Sequence, residues 1–183
     1  CGKSTLLSQI MNKFYKNNEF YYFNFEDERL INFNVEDFNK LHETMIELYG
    51  DRQVYFLDEI QNVQKWETFI RRLQDSNHKF FITGSNASLL SRELGTRLTG
   101  RNVIHELYPF SFREYLKYKN YQFEENHLFN TKTRGFIKGY FNEYLKNGGI
   151  PEYLKFDEQI ILKKIYEDIL YIDIIVRHDL KEV

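Results

Sequence analysis

Val54-Tyr55-Phe56-Leu57-Asp58-Glu59 decides the fold: four apolar residues run unbroken into two adjacent carboxylates. A short continuous apolar run of this kind fits a strand buried on both faces, as in a parallel sheet covered by helices. Trp66, Phe69, Ile70 and Leu73 follow at i, i+3, i+4 and i+7, so the local order is strand, loop, helix. The same design recurs on both sides. Upstream, Phe20-Tyr21-Tyr22-Phe23-Asn24-Phe25 ends in Glu26-Asp27, and a polar helical stretch covers residues 35 to 49. Downstream, Phe80-Phe81-Ile82 ends in Thr83-Gly84-Ser85-Asn86, and Val103-Ile104-His105-Glu106-Leu107 stops just ahead of Pro109. Strands alternating with helices predict a parallel sheet joined by right-handed crossovers.

The chain opens on Cys1-Gly2-Lys3-Ser4-Thr5, after which Leu6, Leu7, Ile10, Met11 and Phe14 recur at helical spacing. At the other end the strand signals cease after Pro109. Ser111 and Glu114 have the spacing of a capping box, helical patterns run through Tyr144, and Gly148-Gly149-Ile150-Pro151 supplies a turn. A long amphipathic helix is then expected, with Ile161, Ile165, Ile169, Ile172 and Val176 on one stripe. These features divide the chain into an α/β core over 1–108 and a helical subdomain over 109–183. No repeat and no Pro- or Gly-rich linker interrupts either part.

Composition narrows the class. A chain of 183 residues with 42% hydrophobic and 28% charged side chains has the means to bury a core. Its 25 basic against 27 acidic residues leave a charge of −2, so no overall field draws it to nucleic acid or acidic lipid. No stretch reaches the roughly 18 apolar residues of a membrane span. A single cysteine excludes an internal disulfide, and five histidines without paired ligand spacing argue against zinc. A cytoplasmic protein is expected. The start at Cys1, without an initiator methionine, reads as a cut.

Three pieces carry chemistry. Gly2-Lys3-Ser4 at a helix start is the second half of G-x-x-x-x-G-K-[ST], whose backbone amides and helix dipole cradle phosphates, whose lysine reaches the β and γ oxygens, and whose hydroxyl holds Mg²⁺. Asp58-Glu59 at a strand's carboxyl end supplies a carboxylate for Mg²⁺ and a neighbouring base for water. Asn86, beside Ser85 at the tip of the next strand, offers an amide to orient that water or contact a γ-phosphate. The order of the pieces is the argument, because ligands of open α/β sheets bind at the carboxyl ends of the strands.

Gly2-Lys3-Ser4-Thr5-Leu6-Leu7, Asn24-Phe25-Glu26-Asp27-Glu28-Arg29-Leu30, Phe56-Leu57-Asp58-Glu59-Ile60-Gln61-Asn62-Val63, Thr83-Gly84-Ser85-Asn86 and Leu98-Thr99-Gly100-Arg101 resemble AAA+ ATPases of the archaeal ATPase family. The likeness continues through Tyr108-Pro109-Phe110-Ser111-Phe112-Arg113-Glu114-Tyr115, Tyr144-Leu145-Lys146-Asn147-Gly148-Gly149-Ile150-Pro151 and Asp173-Ile174-Ile175-Val176-Arg177. It implies a P-loop NTPase parallel sheet of order 5-1-4-3-2, with strand 1 missing from this sequence, followed by a helical lid. It further implies that Gly2, Lys3, Ser4 and Thr5 bind the phosphates of ATP, that Ser4 and Asp58 hold Mg²⁺, and that Glu59 activates water while Asn86 senses the γ-phosphate. Arg101 is the candidate arginine finger, with Arg97 and Arg92 as competitors, and Arg177 is a candidate second sensor. Contact with DNA through C-terminal domains outside this sequence, and assembly into a homo-oligomer, are the partners implied. Two rival functions stay open: a nucleotide-dependent switch without turnover, and a small-molecule kinase sharing the phosphate loop.

Overall fold

Three of the four expected strands form, and each is the apolar run that announced it: β1 (Phe20–Asn24), β2 (Val54–Asp58) and β3 (Lys79–Ile82). They lie side by side in the order β1-β2-β3, all parallel, with Phe20 opposite Val54, Asn24 opposite Asp58, and Leu57 opposite Ile82. This is the 4-3-2 run of the expected order. The computed structural model describes residues 2–84 and 100–168. They form two compact units, Gly2–Glu106 and the residues from Leu107 onward.

In the first unit helices α1 (Lys3–Phe14), α2 (Asp37–Tyr49) and α3 (Trp66–Gln74) accompany the sheet. Strand side chains alternate between its two faces. Tyr21, Tyr55 and Leu57, with Phe80 and Ile82 partly buried, share a core with Phe38 and Met45 of α2 and Trp66, Phe69, Ile70 and Leu73 of α3. Phe38 and Phe69 stack there with ring centroids 4.5 Å apart. The opposite face carries Phe20, Phe56 and Phe81, and Tyr15, the residue that ends α1, packs against Phe56 and Phe81 at 5.4 and 5.8 Å. Burial on both faces is why β2 is an unbroken apolar run instead of an alternating one: Tyr55, Phe56 and Leu57 are all buried.

The fourth expected strand does not form. Residues 103–107 adopt no regular structure, and Val103 is 81% exposed. The neighbour that the order 5-1-4-3-2 gives this segment is strand 1, which is not among the three strands described. A strand is held by ladder hydrogen bonds, so an apolar run without a pairing edge stays irregular.

The second unit holds α4 (Phe112–Tyr118), α5 (Thr131–Asn147), α6 (Pro151–Phe156) and α7 (Gln159–Asp168). The capping box forms as spaced: Ser111 accepts from the Glu114 amide, and the Glu114 carboxylate accepts from the Ser111 amide at 2.8 Å. Lys119 and Glu143 form an ion pair at 2.7 Å. Two motifs distant in sequence clasp each other. The Phe110 N–H donates to the Gly149 carbonyl at 2.7 Å, and the Tyr144 hydroxyl donates to the Phe110 carbonyl at 2.7 Å. A short helix, α6, follows the turn and ends where Asp157 turns left-handed at φ 55°, and α7 then carries Ile161 and Ile165, the first two residues of the expected stripe. Ile169, Ile172 and Val176 of the expected stripe lie outside the described residues.

Candidate functional site

The acidic pair stands at the carboxyl end of β2. Asp58 follows Phe56 by two residues and so lies on the same face of the sheet, the one that α1 covers; Thr83 follows Phe81 by two and shares that face. Asp58 is only 2% exposed, so its carboxylate needs partners inside the protein. It has them on both neighbouring strands. The Thr83 hydroxyl donates to Asp58 Oδ1 in a short hydrogen bond. From β1, the Tyr22 hydroxyl lies 3.5 Å from Asp58 Oδ2, and partial burial together with that carboxylate pushes the Tyr22 phenol above its ordinary pKa.

Glu59 leaves the strand in a left-handed conformation, φ 52° and ψ 42°, which reverses the chain into a turn of 3-10 helix over Ile60–Asn62. Each residue of the Asp58–Asn62 motif has a task in holding that turn. The Asp58 carbonyl accepts from the Phe25 amide at 2.9 Å, Asn62 Nδ2 donates to the Phe25 carbonyl at 3.2 Å, and Ile60 is fully buried in the core. Gln61 Nε2 donates to Glu59 Oε2 at 2.6 Å, and the Glu59 amide donates to Thr83 Oγ1 at 3.1 Å.

Gly2, Lys3, Ser4 and Thr5 open α1. Gly2 is left-handed at φ 87° and its carbonyl accepts the first helical bond from the Leu6 amide at 2.9 Å. Ser4 and Thr5 are exposed and Lys3 is half-buried. Tyr15, at the far end of this helix, rests on Phe56 and Phe81, and α1 joins β1 through residues 15–19 at the amino end of the sheet. The helix, about 17 Å long over its 12 residues, therefore ends at the amino end of the sheet on the face that carries Phe56, Asp58 and Thr83. Among the described residues Lys3 makes no ion pair with Asp58 or Glu59.

Arg101 is not brought to this rim. It pairs with Asp75, the residue closing α3, four positions before β3 begins and thus at the amino end of the sheet. Both side chains of that pair are more than half exposed. Asn86, Ser85, Arg92, Arg97, Arg177 and Cys1 lie outside the described residues. Glu26-Asp27 begins a loop, where Asp27 caps a 3-10 turn and pairs with Arg29 at 2.6 Å.

Three contacts of the acidic pair were not read as functional from sequence: Thr83, Tyr22 and Gln61. Thr83 left a signal. Extending the register from Leu57 opposite Ile82 by one residue puts Thr83 opposite Asp58. Gln61 left none beyond its place in the motif, and Tyr22, 36 residues away from Asp58, left none.

A metal at this rim must suit its donors. Among the described residues no cluster of three His, Cys, Asp or Glu side chains could hold an ion. The Asp58 carboxylate and the Ser4 hydroxyl are hard oxygen donors of the kind Mg²⁺ accepts, the ion usually keeping several waters and phosphate oxygens as its other ligands.

A family profile described as an AAA domain matches residues 1–116, well over half of the 183. The chain belongs to the AAA domain family. Residues 1–116 are thus an AAA-type P-loop domain, a nucleotide-binding class, and the parallel sheet fits that fold. An uncharacterized protein of Methanocaldococcus jannaschii is 40% identical over 186 residues, covering 100% of this chain and 41% of the relative. An uncharacterized protein of Haemophilus influenzae is 34% identical over 190 residues, covering 99% and 45%. A second M. jannaschii protein, also uncharacterized, is 31% identical over 196 residues, covering 94% and 41%. This chain spans well under half the length of these curated relatives. No solved structure matches significantly. Among the described residues no helix is long and apolar enough to cross a membrane.

Proposed function

We propose that this AAA domain binds ATP with Mg²⁺ and hydrolyses it, as in the archaeal ATPase family, and that turnover drives a conformational change in which residues 109–183 serve as the lid. The observation that supports this most is the buried Asp58 with Glu59 beside it, on the α1 face at the carboxyl rim of the sheet. That rim is where open α/β sheets take ligands. In this reading Gly2 lets the backbone approach the phosphates, Lys3 neutralises the β and γ oxygens, and the α1 amino end adds its dipole. Ser4 and Asp58 would hold Mg²⁺, which when bound neutralises phosphate charge. Glu59 takes the proton of the attacking water. Asn86 orients that water, and Arg101, Arg97 or Arg92 from a neighbouring subunit stabilises the transition state. Contact with DNA through C-terminal domains outside this sequence, and assembly into a homo-oligomer, belong to the same proposal.

The switch reading draws on one observation: the Glu59 carboxylate is occupied by Gln61 at 2.6 Å, so the base is held away from free use. Two variants separate the readings. Lys3→Ala is expected to abolish ATP binding, and Glu59→Gln to retain binding while phosphate release stops. Undiminished phosphate release by Glu59→Gln would remove Glu59 as the base, and ATP binding without phosphate release in the unmodified chain supports the switch. Phosphorylated product in place of free phosphate supports the kinase.

A further inference from the structure

We infer that Thr83 is the positioning residue of the acidic pair, tying the Asp58 side chain to the Glu59 backbone through one hydroxyl. A threonine hydroxyl has one proton to give and lone pairs to receive. Here the proton goes to Asp58 Oδ1 and a lone pair accepts the Glu59 N–H at 3.1 Å, so a single oxygen fixes both residues. The Thr83 backbone reinforces the grip: its N–H donates to the Leu57 carbonyl at 3.0 Å and its carbonyl accepts from the Ile60 amide at 3.3 Å. Residues 57 to 60 are thus held from one position on β3's end, and Thr83 is itself only 9% exposed.

The need for such a grip lies in Glu59. A non-glycine residue at φ 52° occupies a sparsely populated conformation that persists only where its surroundings over-determine it. The amide that Thr83 receives is the one at this left-handed turn. Without the hydroxyl, Glu59 N–H loses its partner, the turn is free to relax, and Asp58 Oδ1 is free to rotate from its place beside β3. The role is distinct from that proposed for Asn86, since Thr83 works on the Asp58 carboxylate and the Glu59 amide and not on a phosphate.

The inference rests on the hydrolytic reading above, and its test separates the two. Phosphate release by the full chain is measured against Mg²⁺ concentration for the unmodified protein and for Thr83→Val, Thr83→Ser and Thr83→Ala, with ATP affinity measured in EDTA. Thr83→Val keeps the shape and removes the hydroxyl; kcat is expected to fall about 10- to 100-fold, as for loss of a hydrogen bond to a charged group. The Mg²⁺ concentration for half-maximal rate is expected to rise, while ATP affinity in EDTA stays unchanged. Thr83→Ser is expected to restore kcat. If Thr83→Val does not fold, as judged by circular dichroism, the Ser and Ala variants carry the test: Ser near the unmodified rate and Ala well below it. An unmodified rate in Thr83→Val, equal rates in Ser and Ala, or a parallel loss of ATP affinity in EDTA overturns the positioning role and leaves the ATPase standing. No phosphate release by the unmodified chain overturns the ATPase, and the inference with it.

Discussion

Gly149→Ala and Gly139→Ala are the same chemical change in one helical unit, and the structure requires them to act in opposite directions. A Cβ on Gly149 would stand 2.0 Å from the Phe110 carbonyl oxygen and 2.9 Å from its carbon, atoms of backbone that cannot swing aside. The Phe110–Gly149 clasp must open to admit it. That sacrifices the 2.7 Å bond from the Phe110 N–H and misaligns the 2.7 Å bond from Tyr144. Each is worth about 1 kcal/mol, and forced overpacking adds about 1–3 kcal/mol. The expected loss is therefore about 2–5 kcal/mol, or about 4–20 °C in Tm at the 2–4 °C per kcal/mol typical of chains of this size. Gly139, inside α5, has nothing within 4 Å of its Cβ position. There alanine removes only the flexibility of glycine and should stabilise by about 0.4–1 kcal/mol. Thermal unfolding of the two variants gives the signs, and hydrogen exchange at the Phe110 amide localises the first effect. A Gly149→Ala protein that melts with the unmodified chain and keeps the Phe110 amide protected refutes the reasoning.

Stability should fall as pH drops below the ordinary histidine pKa of about 6.5. Partial burial, then the charges of His78 and Arg72, depress His42, with Asp51 and Glu43 opposing them more weakly. The folded state then binds fewer protons than the unfolded one in that range, so this contribution is whole above pH 6.5 and is lost as pH falls towards the lowered folded value. Urea unfolding at pH 7.5, 6.5 and 5.5 should show the slope, and His42→Gln should flatten it; an equal slope in both proteins excludes His42. Arg101→Ala should cost under about 1 kcal/mol, because the pair with Asp75 is exposed on both sides. A loss of turnover on the order of 10³ in that stably folded variant would identify Arg101 as the finger, whereas unchanged turnover leaves Arg92 and Arg97.

What could be read from sequence follows what the chain itself encodes. Val54 to Leu57 announced a strand because both of its faces are buried, and Asp58 and Glu59 announced the rim because charge halts such a run. The capping box formed because its two partners lie three residues apart. Val103 to Leu107 misled because apolar character specifies that a segment prefers company, without specifying which edge supplies it. The short helix ahead of that stripe was hidden for a local reason. Aspartate tolerates the left-handed region without the glycine or proline that usually marks a stop, so nothing local announced Asp157 as its end.

Thr83 shows where such reading passes from local to relational. Its type is unremarkable at a strand end, where threonine is common. Its significance arises only when β2 and β3 pair in parallel with Leu57 opposite Ile82, since that register sets the Thr83 hydroxyl beside Asp58. A slip of one residue would turn Thr83 to the α2–α3 face and leave Asp58 buried without that donor. The register is held by interdigitated rings on both faces, Tyr55 stacked on Phe80 at 5.0 Å and Phe56 on Phe81 at 4.6 Å. The aromatic pairs that build the core are therefore what aim the acidic pair, and disturbing them should reach Asp58 without touching it.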